Sequence, residues 1–145
     1  MTQVIYTRLT SLPPSLEELE QESVHAGFSM VARLRSEWVN GTNRFQAEGE
    51  ILLGAFRGEQ LVGTAGLNRD PYLSDPSVGR LRHVYVLESE RRSGIARALV
   101  QGVLAHAAGH FKSVRLSTGR ASMFYDVLGF TRANGEHVTH IMPLD

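Results

Sequence analysis

The residues with the clearest chemical potential lie in one short segment, Glu88–Ala98, which reads ESERRSGIARA. An alternating apolar run precedes this segment, and an Ala- and Leu-rich helical pattern follows it. The first N–H groups of a helix have no intrahelical acceptor and carry about half a positive charge, so they bind anions. Gly94 has no Cβ and Ala96 keeps the first turn small, so a pyrophosphate could closely approach the main chain. The segment therefore predicts an anion-binding helix start.

Three arginines, Arg91, Arg92 and Arg97, add full charges around the same point. Arginine binds phosphate through a bidentate fork, which strengthens the prediction. The alternative is a solvated turn that simply carries arginines. The sequence contains neither G-x-x-x-x-G-K-[ST] nor G-x-G-x-x-G, the phosphate signatures of nucleoside triphosphates and dinucleotides. An anion site of another kind is favoured, and a site for some other nucleotide stays an alternative.

Length and composition limit the classes of protein to which the chain can belong. Its 145 residues suit one domain, and we predict a single domain over residues 1–145. Fifteen basic residues balance fifteen acidic ones, which argues against nucleic acid or an anionic membrane as partner. The absence of cysteine excludes disulfides, thiolate metal sites and a cysteine nucleophile, and fits a reducing compartment. The first residues do not resemble a signal peptide, and no apolar run reaches the ~18–20 residues of a membrane span, so we expect a cytoplasmic protein.

Hydrophobic periodicity predicts eleven elements, which would position the arginine-rich turn at the junction of a strand and a helix. Ser15 and Glu18 form a capping box at the start of the first helix, and Gly41 is a plausible C-cap of the second. The element order is β-α-α-β-β-β-α-β-α-β-β, a mixed α/β sheet with helices on both faces. The predicted strands and helices are VIYTRL, SLEELEQESV, FSMVARLRSEWVN, EILLGAF, LVGTAGL, RLRHVYV, the helix from Gly94, SVRLST, ASMFYDVL, GFTRA and HVTHIM.

Two motifs in this order resemble those of the GNAT superfamily of N-acetyltransferases. Arg91–Ala96 (RRSGIA) fits the pattern [Q/R]-x-x-G-x-[G/A], and Ala121–Phe130 (ASMFYDVLGF) fits A-x-x-F-Y-x-x-L-G-F. The chain departs from the family where Leu87-Glu88-Ser89 replaces the common Pro-Glu. The element order agrees from Val4 to Met142, so the resemblance covers almost the whole chain. It implies a mostly antiparallel sheet of six to seven strands.

The resemblance implies that acetyl-coenzyme A is the acetyl donor, with no metal. In the family, main-chain N–H groups at the helix start bind the pyrophosphate, and the fourth and fifth strands splay so that the pantetheine arm pairs with the fourth. Carried to this chain, the donor-binding residues are Val84, Tyr85, Val86, Arg91, Arg92, Ser93, Gly94, Ile95, Ala96 and Arg97.

The reaction that the resemblance implies is direct attack of an amine on the thioester carbonyl, which a main-chain N–H near Val84 would polarise. Tyr125 matches the general acid of the family by position; its pKa of ~10 is close enough to that of a thiol, ~8.5, for proton donation to the leaving sulfur. The alternative role of Tyr125 is that of a core aromatic residue. Arg80 stands where some members carry a glutamate base. The base therefore stays open, and the candidates are Glu50, Asp70, His83 and a water chain.

The acceptor implied by the resemblance is an amine of a small molecule or a protein. Arg33, Arg35 and Arg80 could favour an acceptor with a carboxylate, whereas Trp38 is expected in the core. A non-catalytic acyl-coenzyme A sensor is the alternative function, and a homodimer through the last strands is left open. His106 and His110 lie four residues apart on a helix, but nothing supplies a third ligand, so no metal site is predicted.

Overall fold

The computed structural model describes residues 3–144, which form one seven-stranded sheet with four helices. The observed element order is the predicted one, with a single turn of 3₁₀ helix over Glu88–Glu90 added before the third helix. The strands are β1 (Val4–Arg8), β2 (Ile51–Arg57), β3 (Gln60–Arg69), β4 (Val78–Val86), β5 (Ser113–Leu116), β6 (Thr131–Gly135) and β7 (Val138–Pro143). The helices are α1 (Leu16–His25), α2 (Met30–Asn40), α3 (Ile95–Ala107) and α4 (Ser122–Val127).

The sheet is mostly antiparallel, as predicted. Its strand order is β1-β2-β3-β4-β5-β7-β6, and β4–β5 is the one parallel pair within the described chain. A parallel pair needs a crossover connection, and α3 supplies it between β4 and β5. The start of α3 is thereby placed next to the end of β4, beside the only junction where neighbouring strands run in the same direction.

Helices cover both faces of the sheet, which confirms the predicted layering. One core lies under α1 and α2 and includes Leu19, Leu34 and Leu52, each at most 1% exposed. The other lies under α3 and α4 and includes Leu99 and Val103, both fully buried. The buried pairs Leu16 and Leu19 of α1, Val31 and Leu34 of α2, and Leu99 and Val103 of α3 are three or four residues apart, so the apolar stripes of these helices face the two cores.

Strands β4 and β5 separate soon after they begin. Only Val78–Arg80 pairs with Ser113–Arg115, although β4 continues to Val86. A bulge interrupts the β3–β4 ladder in the second half of β4, and His83 within this bulge has a left-handed backbone, φ +57°. Bulges increase the local twist and bend a strand. The predicted splay of the fourth and fifth strands is therefore present, and it leaves one side of the second half of β4 without a neighbouring strand.

One predicted detail of the first helix is wrong. Ser15 makes no capping hydrogen bond to the start of α1. Its hydroxyl donates to the Glu59 carbonyl (3.2 Å) and accepts from the Leu61 amide (2.9 Å), so it ties the helix start to the β2–β3 hairpin. Gly41 behaves as predicted, since it ends α2 with φ +81°. Within the described residues, no helix combines the length and the apolar character needed to cross a membrane.

Candidate active site

The space between the splayed strands is a cavity of about 640 Å³. Its floor is the second half of β4, and its walls come from the α1–α2 connection, the start of α3, the β5–α4 loop and α4. Six predicted site residues line this cavity: Val84, Tyr85, Val86, Arg91, Ala96 and Tyr125.

The start of α3 lies at one end of this cavity and has the open geometry that an anion needs. Gly94 is the N-cap with φ +86°, and a Cβ built there would meet nothing within 4 Å. The first intrahelical bond runs from the Ala98 amide to the Gly94 carbonyl (3.0 Å). The amides of Ile95, Ala96 and Arg97 therefore have no intrahelical acceptor and are free to bind an anion.

The remaining residues of this segment surround the helix start without lining the cavity. Arg92, Ser93 and Arg97 are exposed at the tip. The Ser93 hydroxyl donates to the Glu90 carbonyl (2.6 Å), and Ile95 turns its side chain into the core. Any donor contact of these residues would come from their main chain or from mobile arginine side chains, which fits the backbone role that the motif implies.

The free side of β4 exposes backbone groups to the cavity. The Leu87 amide donates to the Val62 carbonyl of β3 (2.9 Å), so the groups of the preceding residue, Val86, face away from β3, because peptide groups alternate along a strand. Arg91 already donates from Nε to the Val86 carbonyl (3.0 Å), and its guanidinium lies 5.3 Å from the ring centre of Tyr85. Arg91 therefore links the strand edge to the anion-binding helix start.

The Tyr85 side chain extends from β4 toward α1 and also lines the cavity. Its hydroxyl donates to the Glu22 carboxylate (2.5 Å). Burial, reinforced by this hydrogen bond, raises the pKa of Tyr85 to about 12. Tyr85 is thus a neutral, anchored wall of the cavity at any physiological pH.

Tyr125 lies on α4 and is only 6% exposed. Phe124 and Phe130 pack edge-to-face on its ring, with centroids 5.0 and 5.6 Å away. Burial raises the pKa of Tyr125 above the ordinary value of a phenol. The same apolar surroundings would also raise the pKa of a thiol held beside it. The difference between the pKa of the phenol and that of the thiol therefore changes less than either pKa does. The tyrosine is therefore part of the core and, at the same time, a neutral phenol in the cavity lining.

The structure separates the candidate bases. The Glu50 carboxylate accepts from the amides of Ala47 (3.3 Å) and Arg69 (3.1 Å), outside the cavity lining. Asp70 is 1% exposed and forms an ion pair with Arg80 (3.4 Å). Asp70, like Glu50, lies outside the cavity lining. Only His83 among the three faces the cavity. Burial, with the charge of Arg82, lowers its pKa to about 3, so it is a neutral and weak base.

The opposite end of the cavity is rich in arginine. Arg33 of α2, Arg80 and Arg82 of β4, and Arg120 of the β5–α4 loop all line it. The sequence pointed to Arg33 and Arg80 but not to Arg82 or Arg120, which no local motif marks. Arg35, the third predicted arginine, lies outside the lining in an ion pair with Glu20 and is withdrawn from the site.

Two other predictions concern residues away from the cavity. Trp38 packs in the α1–α2 core with its ring centre 6.5 Å from that of Phe45, as expected of a core residue. The rings of His106 and His110 lie 4.9 Å apart. In residues 3–144, no group of three or more His, Cys, Asp or Glu side chains is arranged to hold a metal ion.

Comparison with known proteins places this geometry in a family. The sequence model of the acetyltransferase (GNAT) family matches residues 14–130, which include α3, β4 and α4. No curated protein sequence gives a significant match.

Solved structures of similar fold extend over nearly all of the chain. A protein of Exiguobacterium sp. 255-15, assigned as an acetyltransferase, is 28% identical with a TM-score of 0.88, covering 97% of this chain and 93% of its own. A GNAT-family acetyltransferase of Staphylococcus aureus Mu50 shares the fold at 16% identity and a TM-score of 0.75, over 99% of this chain and 100% of its own. A GNAT-family N-acetyltransferase of Escherichia coli, solved in complex with coenzyme A, matches at 20% identity and a TM-score of 0.74 over 100% of this chain and 83% of its own.

Proposed function

The chain belongs to the acetyltransferase (GNAT) family, and we propose that it transfers an acetyl group from acetyl-coenzyme A to a primary amine. One observation carries the proposal. The open start of α3, the unpaired side of β4 and the Tyr125 side chain meet around a single cavity. These are the parts needed to bind a diphosphate, align an amide-bearing arm and protonate a thiolate.

The residues present fit the donor. The space around Gly94 would admit a diphosphate to the free amides of the helix start, and Arg91 stands beside it. The exposed groups of β4 near Val84 and Val86 would complete a strand ladder with the amides of the pantetheine arm. Acetyl-coenzyme A supplies an activated acyl group in the form of a thioester. The coenzyme A complex of the Escherichia coli family member supports this assignment.

The transfer needs few groups from the protein. The neutral amine forms a new N–C bond to the acetyl carbon while the C–S bond breaks, and the sulfur leaves as a thiolate. Tyr125 donates its hydroxyl proton to that thiolate and is reprotonated from water, while the surplus proton on the nitrogen leaves to solvent. A neutral, buried phenol suits this step, because its raised pKa keeps the proton on the oxygen until the thiolate forms beside it, and the same burial raises the pKa of the departing thiol.

Two measurements on the purified protein test the proposal. Thermal unfolding is followed with coenzyme A and, as a comparator, with ADP; binding to the folded state raises the unfolding temperature. Release of coenzyme A is then followed with a thiol-reactive dye for a panel of amines. Since the protein has no cysteine, its own thiols contribute no background.

We expect stabilisation by coenzyme A that ADP does not match, and amine-dependent thiol release. Equal stabilisation by ADP would favour a site for another nucleotide. Stabilisation by coenzyme A without release for any amine would favour the acyl-coenzyme A sensor.

A further inference from the structure

The cavity has a local charge that the whole chain does not have. Five arginines line it: Arg33, Arg80, Arg82, Arg91 and Arg120. Among the described residues, no aspartate or glutamate lines it, although the complete sequence is neutral at pH 7. Arg91 lies at the helix start that would bind the donor. The other four surround the space where an acceptor must enter, and we call them the acceptor arginines.

The acceptor arginines are only partly neutralised by carboxylates. Arg80 pairs with Asp70 (3.4 Å), which it shares with Arg115 (3.5 Å). Arg82 pairs with Glu37 (3.4 Å).

Two acceptor arginines keep their charge available. Within residues 3–144, neither Arg33 nor Arg120 has a carboxylate partner; Arg120 instead lies 4.5 Å over the ring centre of Phe28, which fixes it at the α1–α2 connection. Guanidinium groups without a carboxylate at a cavity wall are suited to bidentate binding of an anion.

His83 lies beside these arginines, but its imidazole is enclosed by protein. The residue belongs to the cavity lining and is only 6% exposed, and its ring packs edge-to-face on Phe45 with the centroids 5.9 Å apart. Burial lowers the pKa of His83 to about 3, so the imidazole is neutral. The positive charge of this part of the cavity therefore comes from the guanidinium groups alone.

We propose that the acceptor is a small amine whose own skeleton carries an oxyanion, a carboxylate or phosphate, bound by Arg33 and Arg120 at the cavity wall. This inference rests on the proposed acetyl transfer, whose acceptor it specifies. The same positive charge that attracts the oxyanion opposes a bound ammonium. It therefore favours the neutral, nucleophilic form of the amine and compensates for the missing carboxylate base.

The test uses matched amines that differ only in the anion. The pairs are L-phenylalanine with 2-phenylethylamine, L-lysine with cadaverine, and O-phosphoethanolamine with ethanolamine; the last pair distinguishes phosphate from carboxylate. For each, kcat/KM is measured by thiol release at saturating acetyl-coenzyme A. Binding of the same compounds to the protein, with and without coenzyme A, is measured by calorimetry, which gives an answer even without turnover.

The variants are Arg33→Gln and Arg120→Gln, both at exposed positions, with Arg35→Gln as control. Arg35 lies two residues from Arg33 on α2 but is paired to Glu20 off the cavity. We expect the anionic member of a pair to be preferred at least about tenfold, in line with the typical value of a charge-assisted hydrogen bond. Arg33→Gln and Arg120→Gln should raise its KM about tenfold and so remove most of the preference for the anionic member, whereas Arg35→Gln should keep that preference.

The outcomes separate the two proposals. The proposed function is overturned if coenzyme A does not bind or if no amine reacts. In either case, the calorimetric preference within each pair of amines still decides whether the site binds an oxyanion. Equal binding of both members of each pair, or an equal effect of all three variants, overturns the oxyanion proposal and leaves acetyl transfer standing.

Discussion

The two ends of the cavity are built differently. At the proposed donor end, the groups available for binding are main-chain amides of one helix start and one strand edge, with Arg91 as the lining charge. At the proposed acceptor end, they are side chains from α2, β4 and the β5–α4 loop. Main-chain groups bind whatever diphosphate and amide arm fits them, whereas side chains can change without altering the fold. We therefore expect substitutions in the cavity to change which acceptor binds more readily than which donor binds.

Tyr125 lies where the two ends meet, and its hydroxyl should carry the largest effect. Tyr125→Phe keeps the buried ring and removes the proton donor, so we expect kcat to fall about 100- to 10,000-fold, the typical range for general acid catalysis. The dissociation constant of coenzyme A should change less than about threefold. Steady-state kinetics with calorimetry measures both. Tyr6→Phe, at an exposed position on β1, is the control.

An unchanged kcat for Tyr125→Phe would reduce Tyr125 to a core residue and place the reaction's acid elsewhere. The ring packing alone would then explain why the position is aromatic.

The main-chain character of the donor end is tested at Gly94. Gly94→Glu places bulk and a negative charge at the helix start, and we expect the affinity for coenzyme A to fall about 100-fold, because like charges at an interface cost several kcal/mol. Gly94→Ala is the matched control, since both variants share the strain of φ +86°, about 1–2 kcal/mol. The ratio of their dissociation constants isolates the charge and bulk. Equal affinities would remove this helix start from the donor site.

The buried imidazole of His83 should make the protein less stable in acid. The pKa of His83 is about 3 in the folded protein and ~6.5 when unfolded, so the unfolded state binds more protons below pH 6.5. Stability then falls as pH drops, by about 2 kcal/mol between pH 7 and pH 5 from this residue. Urea unfolding of the wild type and of His83→Gln at both pH values measures the difference.

For this comparison, His25→Gln at an exposed position controls for loss of an imidazole. If the wild type and His83→Gln lost the same stability on acidification, His83 would not be buried in its neutral form.

The smallest effect is expected from the arginine at the donor end. Arg91→Gln removes a charge beside the diphosphate but leaves the amides of α3 in place, so we expect about a three- to tenfold loss of coenzyme A affinity, the value of one charge-assisted contact. Arg44→Gln, away from the cavity, is the control. A loss as large as that of Gly94→Glu would mean that side chains bind the donor, and the contrast between the ends would disappear.

The open helix start at the proposed donor end could be predicted from the sequence because its signals are local. A glycine between a strand pattern and a helix pattern, followed by small residues, indicates an accessible helix start wherever the fold places it. The apolar stripes of four helices and seven strands likewise predicted the layers, since burial depends on periodicity that the chain carries itself. Ser15 shows the limit of local reasoning, because its hydroxyl found partners in the distant hairpin rather than in its own helix.

The acceptor end was decided by the tertiary structure. Arg33 and Arg120 come from different elements, 87 positions apart in the sequence, and both line the cavity that opens where β4 and β5 separate. Nothing in the sequence distinguishes Arg33, at the cavity, from Arg35, paired on the same helix with Glu20. Spacing determines which residues share a helix face, but long-range packing determines what that face meets. The sequence therefore sufficed for the fold and the donor motif, and only the folded chain showed which charges converge.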